Sequence, residues 1–330
     1  MVMNYLIFGG EGFIGFHLIE FLNKQKGIPY GDIYSLDIVE KDKTREYNYI
    51  YCDIRNEISL NIPNIKDSII FNLSAIHTTP GHENEEYFET NILGAENITT
   101  FAENNSINKI AFTSSIAPYG ASEKVKTEET IPMPNIPYGI SKYVAEKIHL
   151  IWLSKDSSNR KLFMVRPGVV FGKGEGGNYS RLYSSMKKGF FFYPGRKDTI
   201  KACVYVKDVV RILYDGISTH QENPAIFNLT YFPAPTIEEI CNTIAITTHI
   251  NKPRILIPSW LILLTARGIH FISLFLGSKF NGIHPDRVKK VMISTNISGN
   301  KLENSSLKLK YSLSESINDW FNDCDEKGLL

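Results

Sequence analysis

The sequence predicts an α/β fold built on a doubly wound parallel sheet. Short apolar runs typical of strands alternate with helical patterns over the first two thirds of the 330 residues, which is the alternation that βαβ units produce. The first strand runs straight into a glycine-rich turn that opens the first helix. From Pro235 onward helical patterns dominate, so we expect a smaller, mostly helical C-terminal region.

Each predicted strand is a short apolar run, and longer helical patterns lie between the strands. In chain order the predicted strands are Asn4–Phe8, Ile33–Leu36, Tyr49–Cys52, Ser68–Leu73, Ile110–Thr113, Leu162–Val165 and Ile226–Leu229. The predicted helices are about 12–26, Glu83–Asn105, Tyr138–Leu153 and Tyr179–Lys188, and Val204–Ile217 is interpreted as a strand end running into a helix.

The composition excludes several classes of protein. Lysine and arginine number 36 against 35 aspartates and glutamates, so no basic surplus exists to hold a nucleic-acid backbone. The four cysteines lie far apart without a C-x-x-C pair, which argues against a disulfide framework or a zinc site. The first residues lack a basic region and a cleavage site. We therefore expect a cytoplasmic protein with reduced thiols and no bound nucleic acid.

One apolar segment departs from this picture. Ile255–Gly277 carries a single formal charge, Arg267, and is long enough to be considered as a membrane span. Pro258 and Gly268 interrupt it, and apolar helices are common inside large globular domains. We expect a buried or dimer-interface helix here rather than a membrane contact.

The turn after the first strand reads Gly9-Gly10-Glu11-Gly12-Phe13-Ile14-Gly15. Glycines at positions 9, 12 and 15 permit a tight turn, close approach of a pyrophosphate, and close packing of the helix on the strand. The helix N-terminus then offers unpaired N–H groups to the phosphates. Because the pattern lies between a strand and a helix, it predicts a dinucleotide-binding site of the Rossmann type.

Two acidic residues follow the next two strands. Asp37 ends the second strand, where a carboxylate accepts hydrogen bonds from both ribose hydroxyls and repels a 2′-phosphate. This position favours NAD over NADP, although Lys41, Lys43 and Arg45 follow closely enough to weaken the preference. Asp53 follows the third strand, where an acid can meet the adenine amino group.

A tyrosine–lysine pair and a serine carry the predicted chemistry. Tyr138 and Lys142 are four residues apart on a predicted helix and share one face. A lysine cation near a phenol lowers its pKa, so the tyrosine can exchange a proton with a substrate hydroxyl near neutral pH. Ser115 follows the fifth strand and opens into the crevice at the carboxyl end of the sheet, where it could hydrogen-bond the reacting oxygen.

Taken in order, these motifs resemble the extended short-chain dehydrogenase/reductase family, and more narrowly its NAD-dependent epimerase/dehydratase group, which acts on nucleotide sugars. The likeness covers about residues 4–230 and is carried by Gly9-x-x-Gly12-x-x-Gly15, Asp37, Asp53, Phe71-Asn72-Leu73-Ser74-Ala75, Ser114-Ser115, Tyr138-x-x-x-Lys142 and Arg166-Pro167. The resemblance implies that Tyr138 is the catalytic acid/base, Lys142 its cationic partner and Ser115 the third member.

The resemblance also implies where the cofactor and the substrate bind. We expect NAD, with NADP disfavoured, in contact with Gly9, Gly12, Phe13, Ile14, Gly15, Asp37, Asp53, Ile54, Leu73, Ser74, Ala75, Asn91, Ser114, Tyr138, Lys142, Pro167 and Val169. The expected substrate contacts are His77, Thr78, Ser115, Asn178, Arg181 and Lys201. We assign residues 1–171 to a Rossmann NAD-binding domain and 172–330 to a substrate-binding region, with about 204–230 rejoining the sheet.

Three residues bear on the choice of ligand. Lys201 stands where sugar-nucleotide relatives often direct an arginine toward the diphosphate, and Gly168 stands where many carry an asparagine. His77 and His82 invite a metal hypothesis, but a Pro-Gly turn separates them, and we expect no metal.

The expected function is that of a 4-keto reductase acting on a nucleoside-diphosphate sugar in surface-polysaccharide precursor synthesis. A 4-epimerase of the UDP-glucose/UDP-galactose type, with tightly held NAD, is the alternative that uses the same residues. The C-terminal third looks like the hydroxysteroid dehydrogenase branch, which leaves a hydroxysteroid-type dehydrogenase as a third hypothesis. A dehydratase fits less well because Ile116 and Ala117 supply no acid–base pair after Ser115. The resemblance further implies a homodimer.

Overall fold

The computed structural model describes residues 3–40, 44–78, 81–262, 264 and 292–329. Its centre is a seven-stranded parallel sheet in the spatial order β11-β7-β5-β4-β1-β2-β3. These strands are β1 (Tyr5–Phe8), β2 (Ile33–Asp37), β3 (Asn48–Tyr51), β4 (Ile69–Asn72), β5 (Lys109–Thr113), β7 (Lys161–Pro167) and β11 (Ala225–Leu229). The remaining strands are β6 (Ser122–Lys126), β8 (Val169–Phe171), β9 (Tyr193–Pro194), β10 (Cys203–Tyr205), β12 (Leu256–Ile257) and β13 (Thr295–Ile297).

Helices cover both faces of the sheet, which is why its central strands are apolar throughout. The helices are α1 (Phe13–Lys24), α2 (Asn84–Phe88), α3 (Gly94–Asn104), α4 (Pro137–Ser154), α5 (Asn178–Lys187), α6 (Val206–Thr219), α7 (Ile237–Thr247), α8 (Asn300–Glu303) and α9 (Leu313–Asp323). Helices α1 and α6 bury Leu18 and Leu213 in the core on one face. Helices α3 and α4 bury Phe101 and Trp152 in the core on the other face.

The strand order reverses between β1 and β4, so the loops that follow these two strands part and leave a crevice at the carboxyl end of the sheet. A third apolar cluster, which includes Phe171, Tyr183 and Trp320, joins α5, α7 and α9 beside this end. The α/β fold class predicted from the sequence, with a smaller and mostly helical C-terminal part, is therefore confirmed. The proposed division at residue 171 stays a prediction.

Two features differ from the expected elements. The single helix expected over Glu83–Asn105 is interrupted by a π-helical turn at Glu89–Leu93, between α2 and α3. The C-terminal part also contains short parallel pairs, β8–β10, β9–β12 and β6–β13. The apolar segment Ile255–Gly277 lies mostly outside the described residues. Within the described part of the chain, no helix is long and apolar enough to cross a membrane.

Candidate active site

The glycine turn at the end of β1 is shaped by close backbone contacts. Gly9 has a φ of +81°, and a Cβ there would lie 2.8 Å from the backbone nitrogen of Ser74. A Cβ on Gly15 would lie 2.2 Å from the Gly9 carbonyl oxygen, so α1 packs directly on the turn. At Gly12 an added Cβ would meet only the Gly9 carbonyl oxygen, at 3.3 Å. Open space therefore adjoins the N-terminus of α1, where a pyrophosphate would fit.

Asp37 lies against this turn. One carboxylate oxygen accepts a hydrogen bond from the Glu11 N–H at 3.0 Å, and the other accepts one from the Val39 N–H at 3.0 Å. The carboxylate is held at the end of β2 and stays partly exposed. It is thus placed to receive ribose hydroxyls from a dinucleotide bound at Gly12.

The side chain of Glu11 points inward from the same turn and is 3% exposed. It accepts hydrogen bonds from the hydroxyls of Ser35 and Tyr47 and pairs with the Arg45 guanidinium at 3.0 Å. Arg45 also lies over the Phe16 ring, 4.6 Å from its centre. Arg45 was expected to weaken the preference for NAD, but its guanidinium is already paired with Glu11. Lys41 and Lys43 lie outside the described residues.

The Asp53 carboxylate is already engaged. Both of its oxygens accept hydrogen bonds from the Arg55 guanidinium, at 2.6 to 3.1 Å, and this pairing lowers the pKa of Asp53. Ile54, which follows it, packs against Gly94, where an added Cβ would come within 2.4 Å of the Ile54 Cδ1 atom. An adenine amino group would have to share the Asp53 carboxylate with the Arg55 guanidinium. The Ile54 side chain packs on Gly94 at the start of α3.

The crevice is formed by the loops that follow β4, β5 and β7. Leu73 donates its N–H to the Phe8 carbonyl oxygen, which keeps the segment 73–75 beside the glycine turn. The N–H of Ile116 donates to the Pro167 carbonyl oxygen at 3.1 Å, so the end of β7 adjoins the loop that carries Ser115. Val169 begins β8 next to it. The structure thus brings most of the predicted cofactor contacts to one edge of the sheet.

Asn91 is used differently from the expectation. Its side-chain amide donates to the Ile76 carbonyl oxygen and to the Ser141 hydroxyl, at 3.1 and 2.8 Å, and its oxygen accepts from the Ile76 N–H at 3.0 Å. Asn91 lies in the π-helical turn, a feature often found at functional sites. The residue joins the loop after β4 to α4, so a role toward the cofactor would be indirect.

Tyr138 and Ser115 meet at the mouth of the crevice. Tyr138 lies in the first turn of α4, and the Ser115 side chain lies close enough to its hydroxyl to influence its pKa. Burial raises the pKa of Tyr138, and the serine side chain opposes this by favouring the phenolate. The lowered phenol pKa expected from the sequence is therefore wrong as a net direction, because burial outweighs the favourable contacts.

Lys142 lies one turn further along α4 and is almost fully buried. Its Nζ atom is 4.7 Å from the centre of the Phe112 ring. Burial lowers the pKa of Lys142 to about 7, and the Glu146 carboxylate opposes this shift. The ammonium group therefore changes its charge near neutral pH, inside the site.

A buried polar network lies beneath these residues and was not foreseen from the sequence. Glu146 pairs through both oxygens with Arg166, at 2.8 and 2.7 Å, and accepts a hydrogen bond from the Ser114 hydroxyl at 2.6 Å. Arg166 also donates to the Tyr119 hydroxyl, which donates in turn to Asn228 at 3.0 Å. Ser114 thus faces the core rather than the crevice. Glu146 could have been found as an acid one turn beyond Lys142 on the same helix face.

Besides Ser115, the predicted substrate contacts lie at three places: the loop after β4, the start of α5, and Lys201. His77 and Thr78 are exposed in the loop after β4, and His77 lies near enough to Lys142 for their charges to interact. Asn178 and Arg181 are exposed on the first turn of α5. The Lys201 ammonium instead donates to the Ile293 carbonyl oxygen at 2.9 Å, and burial lowers its pKa to about 8.

Gly168 has a steric role. A Cβ at this position would lie 2.6 Å from the backbone of Ala202 and 2.8 Å from the nitrogen of Cys203. The close approach of β10 to the end of β7 therefore leaves no room for a side chain at position 168. Among the described residues, no group of histidine, cysteine and acidic side chains could hold a metal ion.

The arrangement places a glycine turn with open space at a helix N-terminus, a buried phenol beside a serine, and a lysine of lowered pKa at one crevice. Comparison with known proteins agrees with it. A profile of the NAD dependent epimerase/dehydratase family matches residues 5–230. The chain belongs to this family. Members are NAD-dependent enzymes, and NAD is the cofactor.

Relatives of this family member cover from two thirds of its length to nearly all of it. The N-acetyl-alpha-D-glucosaminyl-diphospho-ditrans,octacis-undecaprenol 4-epimerase of Escherichia coli O157:H7 is 26% identical, over 95% of this chain and 93% of the relative. The GDP-6-deoxy-D-talose 4-dehydrogenase of Aggregatibacter actinomycetemcomitans is 26% identical, over 68% of this chain and 73% of the relative. The structure of MoeE5 in complex with UDP-glucuronic acid and NAD has a TM-score of 0.71 at 22% identity and covers 97% of this chain and 99% of MoeE5.

Proposed function

We propose that this family member is a 4-epimerase of a hexose carried on a diphosphate. The observation that carries the proposal is the Ser115 side chain beside the buried Tyr138 phenol, with Lys142 one helical turn away, at the crevice beside the glycine turn. A relative that matches 95% of the chain is a 4-epimerase of a diphosphate-linked N-acetylglucosamine. The epimerase hypothesis therefore stands ahead of the 4-keto reductase that the sequence alone favoured.

The residues present fit NAD. The space beside Gly12, the partly exposed carboxylate of Asp37, and the segment 73–75 would hold its pyrophosphate and adenosine half. Ser115, Tyr138, Pro167 and Val169 are the residues that would contact its nicotinamide half. When bound, NAD would take the C4 hydrogen of the sugar as a hydride and return it to the opposite face.

The chain's own residues would handle the proton. In the first half-reaction the Tyr138 phenolate accepts the proton of the C4 hydroxyl, and in the second it gives the proton back to the C4 oxygen. Ser115 would hydrogen-bond the same oxygen and keep it within reach of the phenol. In its protonated form, Lys142 would favour the phenolate across one helical turn. The predicted substrate contacts His77, Thr78, Asn178, Arg181 and Lys201 would surround the sugar and diphosphate.

A 4-keto reductase of a nucleoside-diphosphate sugar is the second candidate, and the likeness to the GDP-6-deoxy-D-talose 4-dehydrogenase favours it. It would use the same three residues in one direction only and would need a fresh reduced nucleotide for every turnover. We further propose a role in surface-polysaccharide precursor synthesis, a cytoplasmic setting in which the four free thiols stay reduced, and a homodimer. Exposed Ile140 and Ile151 on one face of α4 support the dimer.

The experiment is to incubate the purified, undialysed protein with UDP-N-acetylglucosamine and with a polyprenyl-diphosphate-linked N-acetylglucosamine, without added nucleotide. Formation of the 4-epimer, followed by NMR, is the expected result. Tyr138→Phe should lower the rate by a factor of roughly 10² to 10⁴ and still bind NAD. Tyr143→Phe, on the same helix, is the matched control and should keep its activity. Turnover of a sterol with no turnover of either sugar would point instead to the hydroxysteroid-type dehydrogenase.

A further inference from the structure

A surface on the C-terminal part exposes large apolar side chains. Phe190 and Phe192 follow α5, and Ile255, Leu256 and Trp260 lie around β12. Phe190 is 77% exposed and Trp260 is 67% exposed. Aromatic side chains at such exposure are unusual on a globular protein unless they meet a partner. We call these five residues, with the basic residues named below, the basic–aromatic surface.

Backbone contacts make the two segments one surface. The Tyr193 N–H donates to the Ile255 carbonyl oxygen, and the Gly195 N–H donates to the Ile257 carbonyl oxygen, both at 2.8 Å. A Cβ on Gly195 would lie 2.5 Å from the Ser259 hydroxyl, so the residues leading to Trp260 pack beside β9. A cavity of about 430 Å³ lies between the segments, lined by Met186, Gly189, Phe191, Asn251, Lys252, Pro253, Arg254 and Ile255.

The charged side chains of the two segments that form this surface are all basic. Residues 181–195 contain Arg181, Lys187 and Lys188 and no acidic residue, and residues 249–264 contain Lys252 and Arg254 and no acidic residue. All five cations are exposed. Of the two acids on neighbouring α7, Glu238 is paired with Lys197 at 3.1 Å, and Glu239 accepts hydrogen bonds from the N–H and hydroxyl of Thr236. An anionic partner would therefore meet cations around an apolar centre.

We infer that the basic–aromatic surface docks onto an anionic lipid bilayer. Aromatic rings settle at the headgroup level of a membrane, and surrounding lysines and arginines are attracted by anionic lipids. A second copy of the chain fits less well, because a symmetric contact would bring the same cations face to face.

The inference rests on the proposed function and specifies its substrate as a sugar diphosphate whose lipid stays in the membrane. Such a substrate presents its diphosphate and sugar only at the bilayer surface. Helix α5 has ten residues, a length of about 15 Å, and joins the predicted substrate contacts at its start to Lys187 and Phe190 at its end. Docking at this end would hold the crevice near the headgroups.

The test is co-sedimentation of the full chain with vesicles of phosphatidylcholine alone and of phosphatidylcholine mixed with phosphatidylglycerol. We expect binding to the anionic vesicles that weakens as salt is added. The double variants Phe190→Ser/Trp260→Ser and Lys252→Gln/Arg254→Gln should each lower the bound fraction at least tenfold. Met133→Ser, which removes an apolar side chain that is 80% exposed elsewhere, should bind like the unchanged protein.

Turnover of water-soluble UDP-N-acetylglucosamine separates the two proposals. Both double variants should keep this activity, because the exposed side chains lie outside the catalytic residues. A protein that epimerises the soluble sugar and stays in the supernatant with both kinds of vesicle overturns the docking inference alone. Vesicle binding without turnover of any sugar overturns the proposed function alone. Light scattering that shows a dimer in the unchanged protein and a monomer in the double variants would assign the surface to a second copy.

Discussion

Burial sets the ionisation of Lys142, the buried base of the site. Its pKa is about 7 in the folded protein and near 10.5 in the unfolded chain. Between these two values the unfolded chain binds a proton that the folded chain does not, so the free energy of unfolding rises with pH across that window. Below pH 7 the folded protein carries the full cost of a buried ammonium group.

Replacing Lys142 with methionine should therefore stabilise the protein at pH 7 while it removes activity. We expect a gain of about 1–3 kcal/mol in the free energy of unfolding at pH 7, and a gain that shrinks toward pH 10. Urea unfolding at pH 7 and pH 9 measures both. Lys155→Met, at a half-exposed lysine paired with Glu103, serves as the control and should show no such pH dependence. If the free energy of unfolding changed with pH by the same amount in the unchanged protein and in Lys142→Met, the assigned pKa of Lys142 would be contradicted.

We expect the choice between NAD and NADP to depend on two carboxylates, Asp37 at the end of β2 and Glu11 in the glycine turn. Asp37→Ser should weaken NAD binding about tenfold, because the ribose hydroxyls lose their acceptor, and it removes the repulsion of a 2′-phosphate. Adding Glu11→Gln should release Arg45 toward that phosphate and strengthen NADP binding by a further factor of about ten.

Titration of both nucleotides against the single and double variants measures this effect. Glu20→Gln, on α1 beyond the turn, is the control and should leave the NAD to NADP ratio unchanged. A double variant that binds NADP no better than Asp37→Ser would show that the pairing of Glu11 with Arg45 has no part in the preference.

Among the elements, the close packing of β10 on the end of β7 depends on Gly168. Gly168→Asn restores the residue that many sugar epimerases carry, yet we expect it to cost more than about 2 kcal/mol of stability, because the new Cβ meets the Ala202 backbone at 2.6 Å. Thermal unfolding measures the loss. Gly31→Asn is the control, since nothing lies within 4 Å of an added Cβ there. Equal melting temperatures for the two variants would show that the backbone of β10 shifts at little cost to make room for a side chain at position 168.

The glycine turn, the strands and the Tyr138–Lys142 pair could be predicted because each is encoded within a few neighbouring residues. The π-helical turn that carries Asn91 could not, and the three hydrogen bonds of the Asn91 side chain go to Ile76 and Ser141, which are 15 and 50 residues away. The buried pairing of Glu146 with Arg166 joins α4 to β7, and the link from Tyr119 to Asn228 spans 109 residues. Such contacts become visible only when the fold brings distant segments together.

For the whole molecule, the doubly wound sheet followed from the alternation of strands and helices, and its order places every crevice loop at one end. The surface around Phe190 and Trp260 could not be recognised from the sequence. The apolar run from Ile255 indicated a buried or dimer-interface helix, whereas its first residues are exposed next to β9. Apolar composition predicts burial on average, but the fold decides which apolar side chains face outward.

The central claim is that the chain, with NAD bound, epimerises the sugar at C4, so that the sugar's own C4 hydrogen would be kept in the product. The direct test uses a diphosphate-linked N-acetylglucosamine labelled with deuterium at C4, the undialysed protein and no added nucleotide. We predict a mixture of the two 4-epimers in which both keep the deuterium at C4. Absence of the epimer, together with reduction of a 4-keto sugar that stops when added NADH is exhausted, would contradict the claim and establish the reductase.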